Sequence, residues 1–368
     1  MRKKKLLVCV TAALMLMGSF TGCGKKKDAS KTEGVDYAVN VNDSSIISTD
    51  TDAIQLTKDG KVQSYLTGEW VDPSENERRP VTFMVNNISE AMPQSGVSSA
   101  DIIYEILEEG GITRLQCVYS HESYKDLDKI GPLRSARHYY DRKALEFDAI
   151  FEHWGQSYLA QYDFDTISDL DQLDLNGKDG AYGFRDSNRV APHNAYTSGA
   201  NIDAAIEKDG FDTTLKDDFD PMFKFNVEDT DLENGTTANK ITTEYNSGRK
   251  PYFEYDASTK TYLRYQYGGP QIDDTNNVQL SFKNVIVQFC DHNSIPNESL
   301  LIDVVLNGTG KGYYATNGKI IPITWEKGDA ITGVTHYYTE DGKELHMNPG
   351  KTWVSVMQSD NEAGCVVE

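Results

Sequence analysis

IIYEILEEGGITRLQCVY, Ile102 to Tyr119, is the stretch on which the architecture of the first half of the chain turns. Two runs rich in Ile, Leu, Val and Tyr flank Glu108-Glu109-Gly110-Gly111, a pattern that predicts an antiparallel hairpin turned at the glycines. A helix over 99–109 is the competing reading, because a short apolar run fits a buried helix as well as a buried strand. Ahead of this stretch, Val81-Thr82-Phe83-Met84-Val85 ends in Asn86-Asn87 and reads as a strand buried on both faces. Behind it, Ser135 to Phe147 holds helix formers without Gly or Pro, with Gly131-Pro132 just before and Ser135 placed to cap. Ala149 to Glu152 reads as another buried strand.

Together these elements predict an α/β (α+β) N-terminal domain with a mixed sheet over 78–215. Past Lys216 the texture becomes β-rich. Pro251–Tyr255, Thr261–Tyr267, Val285–Cys290, Ile302–Leu306 and Thr352–Met357 are separated by turn signals such as Gly268-Gly269 and Asn317-Gly318. A mostly antiparallel, β-rich C-terminal domain over 216–358 is expected, followed by a flexible tail over 359–368.

The N-terminus sets location. Arg2 to Lys5 precede an apolar run from Leu6 to Met17, too short for the roughly 20 residues of a membrane-spanning helix, so residues 1–22 read as a signal peptide. Thr21-Gly22-Cys23 has the form of a lipobox, which makes Cys23 the expected lipidation site and places the chain on the extracytoplasmic face of the cell membrane, anchored but not spanning. Residues 23–77 are polar and read as a disordered tether, with exceptions around Ile46-Ile47 and Tyr65-Leu66, either of which could dock on the folded part. About 50 flexible residues would reach roughly 40 Å.

Loss of the signal takes the formal net charge from −21 to −25, because it removes Arg2, Lys3, Lys4 and Lys5 and no acid. Nucleic acid is then an unsuitable partner, since phosphate binding draws its affinity from basic surface. Cys117, Cys290 and Cys365 make no disulfide framework.

Against that acidic background, KIGPLRSARHYYDRKALEFDAIFEHWGQ, Lys129 to Gln156, gathers positive charge. Arg134 and Arg137, on the first turn of a helix starting at Ser135, would oppose its dipole by roughly 0.3–1 kcal/mol each unless a bound anion or internal carboxylates compensate. Asn87, Arg114 and His153 belong to the same domain, and GFRDSNRVAPHNAY, Gly183 to Tyr196, adds Arg185, His193 and Asn194 in a segment of loop composition. These residues form an expected polar, ligand-binding pocket. No His-Glu-x-x-His, phosphate loop or dinucleotide fingerprint occurs, so neither a metal nor a cofactor is expected. Ser157 lacks the second glycine of a nucleophile elbow and reads as a helix cap.

RPVTFMVNN (Arg79–Asn87), MPQSG (Met92–Gly96), ADIIYEILEEGGITR (Ala100–Arg114), IGPLRSAR (Ile130–Arg137), EHWGQS (Glu152–Ser157), APHNAY (Ala191–Tyr196), FKNVIVQ (Phe282–Gln288) and LHMNPGKTWVSV (Leu345–Val356) occur in this order. On these motifs the chain resembles the YerB-like bacterial lipoproteins, a family without an established activity. The resemblance implies a two-domain envelope lipoprotein and assigns no catalytic residue. Three functions follow as expectations. The first is a binding or accessory module that recognises an anionic cell-wall component through the Arg/His/Asn pocket. The second is a wall hydrolase with Glu105 or Glu108 as general acid or base and His153 or His193 as its partner. The third is a scaffold for a protein partner, with a purely structural polar cluster.

Overall fold

The structure, a computed structural model, describes residues 39–40, 56–296 and 301–368. Cys23 and the expected signal lie outside the described residues.

In the first half the elements are β1 (Val81–Asn86), β2 (Ile102–Leu107), β3 (Thr113–Tyr119), α1 (His138–Leu145), β4 (Ile150–His153), α2 (Tyr158–Thr166), β5 (Gln172–Asp174) and α3 (Gly199–Asp209). The second half contributes β6 (Lys240–Thr243), β7 (Tyr252–Asp256), β8 (Thr261–Gln266), β9 (Asn284–Cys290), β10 (Gly308–Thr316), β11 (Lys319–Lys327), β12 (Thr352–Gln358) and β13 (Cys365–Val367). The hairpin reading of Ile102–Tyr119 holds: β2 and β3 pair antiparallel from Ile102↔Val118 to Leu107↔Thr113. The turn is built on Gly110 and Gly111, both at φ 71°, where a side chain would be strained.

One eleven-stranded sheet runs through both halves, in the order Thr236–Thr237, β11, β10, β9, β12, β2, β3, β1, β4, β5, with His336–Thr339 also paired to β11. The seam is the parallel pairing of β12 with β2, in which Ser355 lies opposite Glu105. β1, β2, β3 and β9 are buried along their whole length, which is why they read as continuous apolar runs. One face packs Met84, Tyr104 and Phe151 against α1, and the other gathers Phe83, Ile103, Leu115 and Trp353. A second, antiparallel sheet contains β8, β7, β6 and β13 in that order. Alternation sorts its tyrosines: Tyr262 is enclosed, whereas Tyr252 and Tyr265 stack at 4.9 Å on the outer face.

Three expectations need correction. Order begins before residue 78. Leu56–Lys58 and Lys61–Gln63 pair antiparallel, and Val62 and Leu66 are buried, so the Tyr65-Leu66 patch supplies enough apolar surface to dock. Residues 359–368 are not a loose tail, because β13 adds its β-branched Val366 and Val367 to β6. α1 starts at His138 rather than Ser135: Arg137 is its N-cap and Ser135 donates instead to the Trp154 carbonyl. Ser157 does cap α2, accepting from the Ala160 N–H at 3.2 Å.

Candidate functional site

β1, β2, β4 and β12 run in the same direction, so their C-terminal ends share one edge of the sheet. There the chain must leave extended geometry, and the Asn86-Asn87 corner, the Glu108–Gly111 turn and the segment before α1 crowd together. The last of these lies along β1: Leu133 bridges Val85 and the Arg134 N–H donates to the Met84 carbonyl at 2.8 Å.

Three guanidinium groups and two carboxylates meet at this edge. Arg114 ion-pairs with enclosed Glu108 and donates to the Ser135 carbonyl. Arg137 forks onto Glu109, Nε to Oε1 at 2.8 Å and Nη2 to Oε2 at 3.0 Å. Arg134 is the surplus cation. Its half-buried guanidinium has no hydrogen bond or ion pair among the described residues. Burial, and then the positive charge of Arg114, push its pKa downward, with Glu108 opposing. Burial likewise raises the Glu108 carboxyl above its ordinary value, against the pull of Arg114 and Arg137. A cation held partly out of water with no carboxylate of its own favours an incoming anion.

His193 faces the same spot. Its Nδ1 meets the Asn86 side-chain amide at 2.8 Å, and burial together with the nearby Arg134 charge holds its pKa below the ordinary histidine value. Asn194 fixes the loop from behind, donating to the carbonyls of Asp186 and Arg189 and accepting from Arg185 Nη1 at 2.8 Å. Arg185 itself lies over the Trp154 ring at 4.9 Å and belongs to the outer wall of that loop.

Other expected site residues are drawn inward. Asn87 is enclosed and donates to Glu105 Oε1 at 3.1 Å and Thr113 Oγ1 at 2.9 Å. Glu105 also takes the buried guanidinium of Arg264, which is sandwiched between Phe253 at 4.6 Å and Trp353 at 4.4 Å. His153, at the end of β4, is sealed in the core between the Gly155 carbonyl at 2.9 Å and Gln172 Oε1 at 3.0 Å, with Phe164 stacked on its ring. The structure therefore brings Arg114, Arg134, Arg137 and His193 together and keeps His153 apart.

Two residues at this edge were missed in the sequence. Asn86 is one: both asparagines of the corner are buried, but Asn86 turns its side chain to His193 while Asn87 turns to Glu105 and Thr113. Arg249, whose Nη1 donates to the Asn87 carbonyl at 3.0 Å, arrives from the second half without any local pattern. It lines a hollow of about 190 Å³ with Lys250 and Tyr267, and a neighbouring hollow of about 290 Å³ runs from Tyr267 to Met92 and Pro93. A larger hollow, about 410 Å³ between Leu232 and Asp341, is remote from these cations.

Fold and site thus define a two-part, sheet-centred scaffold with a cluster of three arginines at one edge. Residues 66–212 match the family described as "Protein of unknown function (DUF3048) N-terminal domain", and residues 241–354 match its C-terminal domain. "Putative lipoprotein YerB" of Bacillus subtilis (strain 168) is 30% identical over 303 residues, which cover 81% of this chain and 86% of that protein. The crystal structure of YerB from Bacillus subtilis matches at a TM-score of 0.74 and 28% identity, covering 84% of this chain and 100% of that one. The chain belongs to the two-domain, YerB-like DUF3048 family. No described helix is long and apolar enough to cross a membrane.

Proposed function

We propose that this chain is a cell-envelope lipoprotein, anchored through Cys23 on the extracytoplasmic side, whose Arg134 notch recognises an anionic wall group. The observation that carries the reading is the unmatched Arg134 guanidinium beside two arginines that each have an acid. Arg114 and Arg137 hold the turn and set the field, Arg134 supplies the contact, and His193 and Asn86 border the bound group. A stem-peptide carboxylate and a wall-polymer phosphate share the required chemistry.

A hydrolase has weaker support. The Glu105 oxygens are occupied by Asn87, Thr113 and Arg264 with no access to solvent, which leaves enclosed Glu108 to act without His153 beside it. The experiment is calorimetric titration of the mature chain with a muropeptide carrying a free carboxylate and, separately, with a phosphodiester polymer fragment. Saturable binding of one of them, weakened at least tenfold by Arg134→Ala, supports the reading. Equal affinity in wild type and variant removes it.

A further inference from the structure

At the sheet edge opposite Arg134, three segments far apart in sequence converge. β3 ends at Tyr119 and the chain turns at once into a short helix, His121–Tyr124. A second short helix, Pro73–Asn76, lies in the segment that leads into β1, and α3 contributes Asp203. The imidazole of His121 stands between two carboxylates: Glu75 Oε2 is 3.8 Å from Nδ1, and Asp203 Oδ2 is 3.5 Å from Nε2. Neither separation is that of a good hydrogen bond.

Two features set this cluster apart from a surface ion pair. Glu75 Oε2 and His121 Nδ1 are shielded from solvent, yet neither has a hydrogen-bond partner, an arrangement that costs free energy unless something lies between them. Glu122 also approaches, so that one ligand atom from each of Glu75, His121 and Glu122 lies within 4.8 Å of the others. Ligands about 2.0–2.2 Å from one ion stand at most roughly 4 Å apart, and Glu122, 53% exposed and ion-paired with Lys125 through Oε1, closes the difference by exchanging that surface pair for the ion. Asp203 is already fixed, because the Tyr124 hydroxyl donates to its Oδ1 at 2.8 Å. Its Oδ2 faces Nε2, where a carboxylate orients a metal-bound imidazole.

We propose that Glu75, His121 and Glu122 bind a divalent transition-metal ion of the zinc type, with Asp203 as the positioning residue for His121. One imidazole and two carboxylates suit such an ion, with water completing the shell. Binding would fasten the segment ahead of β1 to the body of the chain. Sequence spacing conceals the site, since Glu75 and the His121-Glu122 pair come from separate segments.

The test is titration of the tag-free, chelator-treated chain with Zn(II) by calorimetry and with Co(II) by visible absorption. Wild type should bind one ion and show a Co(II) d–d band. His121→Ala should lose the band and at least tenfold in affinity. Half-exposed Glu122→Gln, a change that leaves packing intact, should also weaken binding, so the outcome does not depend on one variant folding. His336→Ala is the control, because His336 also lies between two carboxylates, Asp220 at 3.7 Å and Glu344 at 3.5 Å, and should bind as wild type does. No binding by wild type, or binding unchanged in His121→Ala and Glu122→Gln, overturns the proposal.

Discussion

Arg264, from the second half of the chain, donates to the carboxylate of Glu105, from the first, with both side chains closed off from solvent. The pair lies under the β2–β12 seam and ties the second sheet to the main one. Removing one partner leaves a buried charge uncompensated, which costs about 3–5 kcal/mol, whereas replacing both with apolar groups is often close to neutral. Glu105→Ala should therefore lower the unfolding free energy from urea melts by that amount, and a Glu105→Leu, Arg264→Met double variant should recover most of it. A catalytic Glu105 would instead leave stability little changed in the single variant.

A second internal network joins α1 to β11. Glu146 Oε1 takes Lys143 at 2.8 Å and Lys327 at 2.7 Å, while Oε2 accepts from the Thr335 N–H and hydroxyl at 2.9 Å and 2.7 Å. Burial alone would raise the Glu146 carboxyl, but the two lysines outweigh it and hold its pKa below the ordinary value. A depressed carboxyl pKa contributes stability above the unfolded value of about 4.3, and that stability is lost as pH falls through the folded value. Wild type should lose stability steeply below pH ~4. Glu146→Gln should start lower and lose less over the same range in acid-dependent urea melts.

His193 links binding to pH. Its pKa is held low by burial and by Arg134, so the folded chain favours the neutral ring. Its share of stability is complete above the unfolded value of about 6.5 and declines as pH falls toward the folded value. An anion seated beside Arg134 would reverse that shift and take up a proton. Affinity for the anion should rise between pH ~7 and ~5, and the rise should flatten in His193→Gln, as read by calorimetry in buffers of different ionisation enthalpy.

The C-terminal segment has a structural task. The Glu368 N–H and carbonyl bond to Lys240, and Gly364 is packed so closely against the Glu244 carbonyl that an added Cβ would lie 2.5 Å from it. Deleting 359–368 should expose β6 as a bare edge and speed amide exchange across Lys240–Thr243, with little change at β1.

The hairpin at Gly110-Gly111 was legible because two left-handed positions demand glycine, and β1 was legible because a strand covered on both faces cannot carry alternating polarity. The seam was not. β2 and β12 pair across most of the chain length, and no local periodicity marks a partner so distant. The start of α1 was misread because Ser135 has the chemistry of a cap, while the bridge from Leu133 to Val85 holds that segment extended. Arg134, Arg137, Arg114 and His193 could be collected by charge alone. Glu105, Asn87 and His153 have the same polarity in sequence, and only the packing of the second half and of Phe164 shows that they are enclosed.

The central claim is that Arg134 is a cation with an opening for an anion. Titrating wild type, Arg134→Ala and Arg134→Lys with the carboxylate and phosphodiester probes tests it most directly. Saturable binding in wild type, loss in the alanine variant and partial recovery in the lysine variant are the predicted results. Identical isotherms for all three proteins, or no heat with either probe, would contradict it.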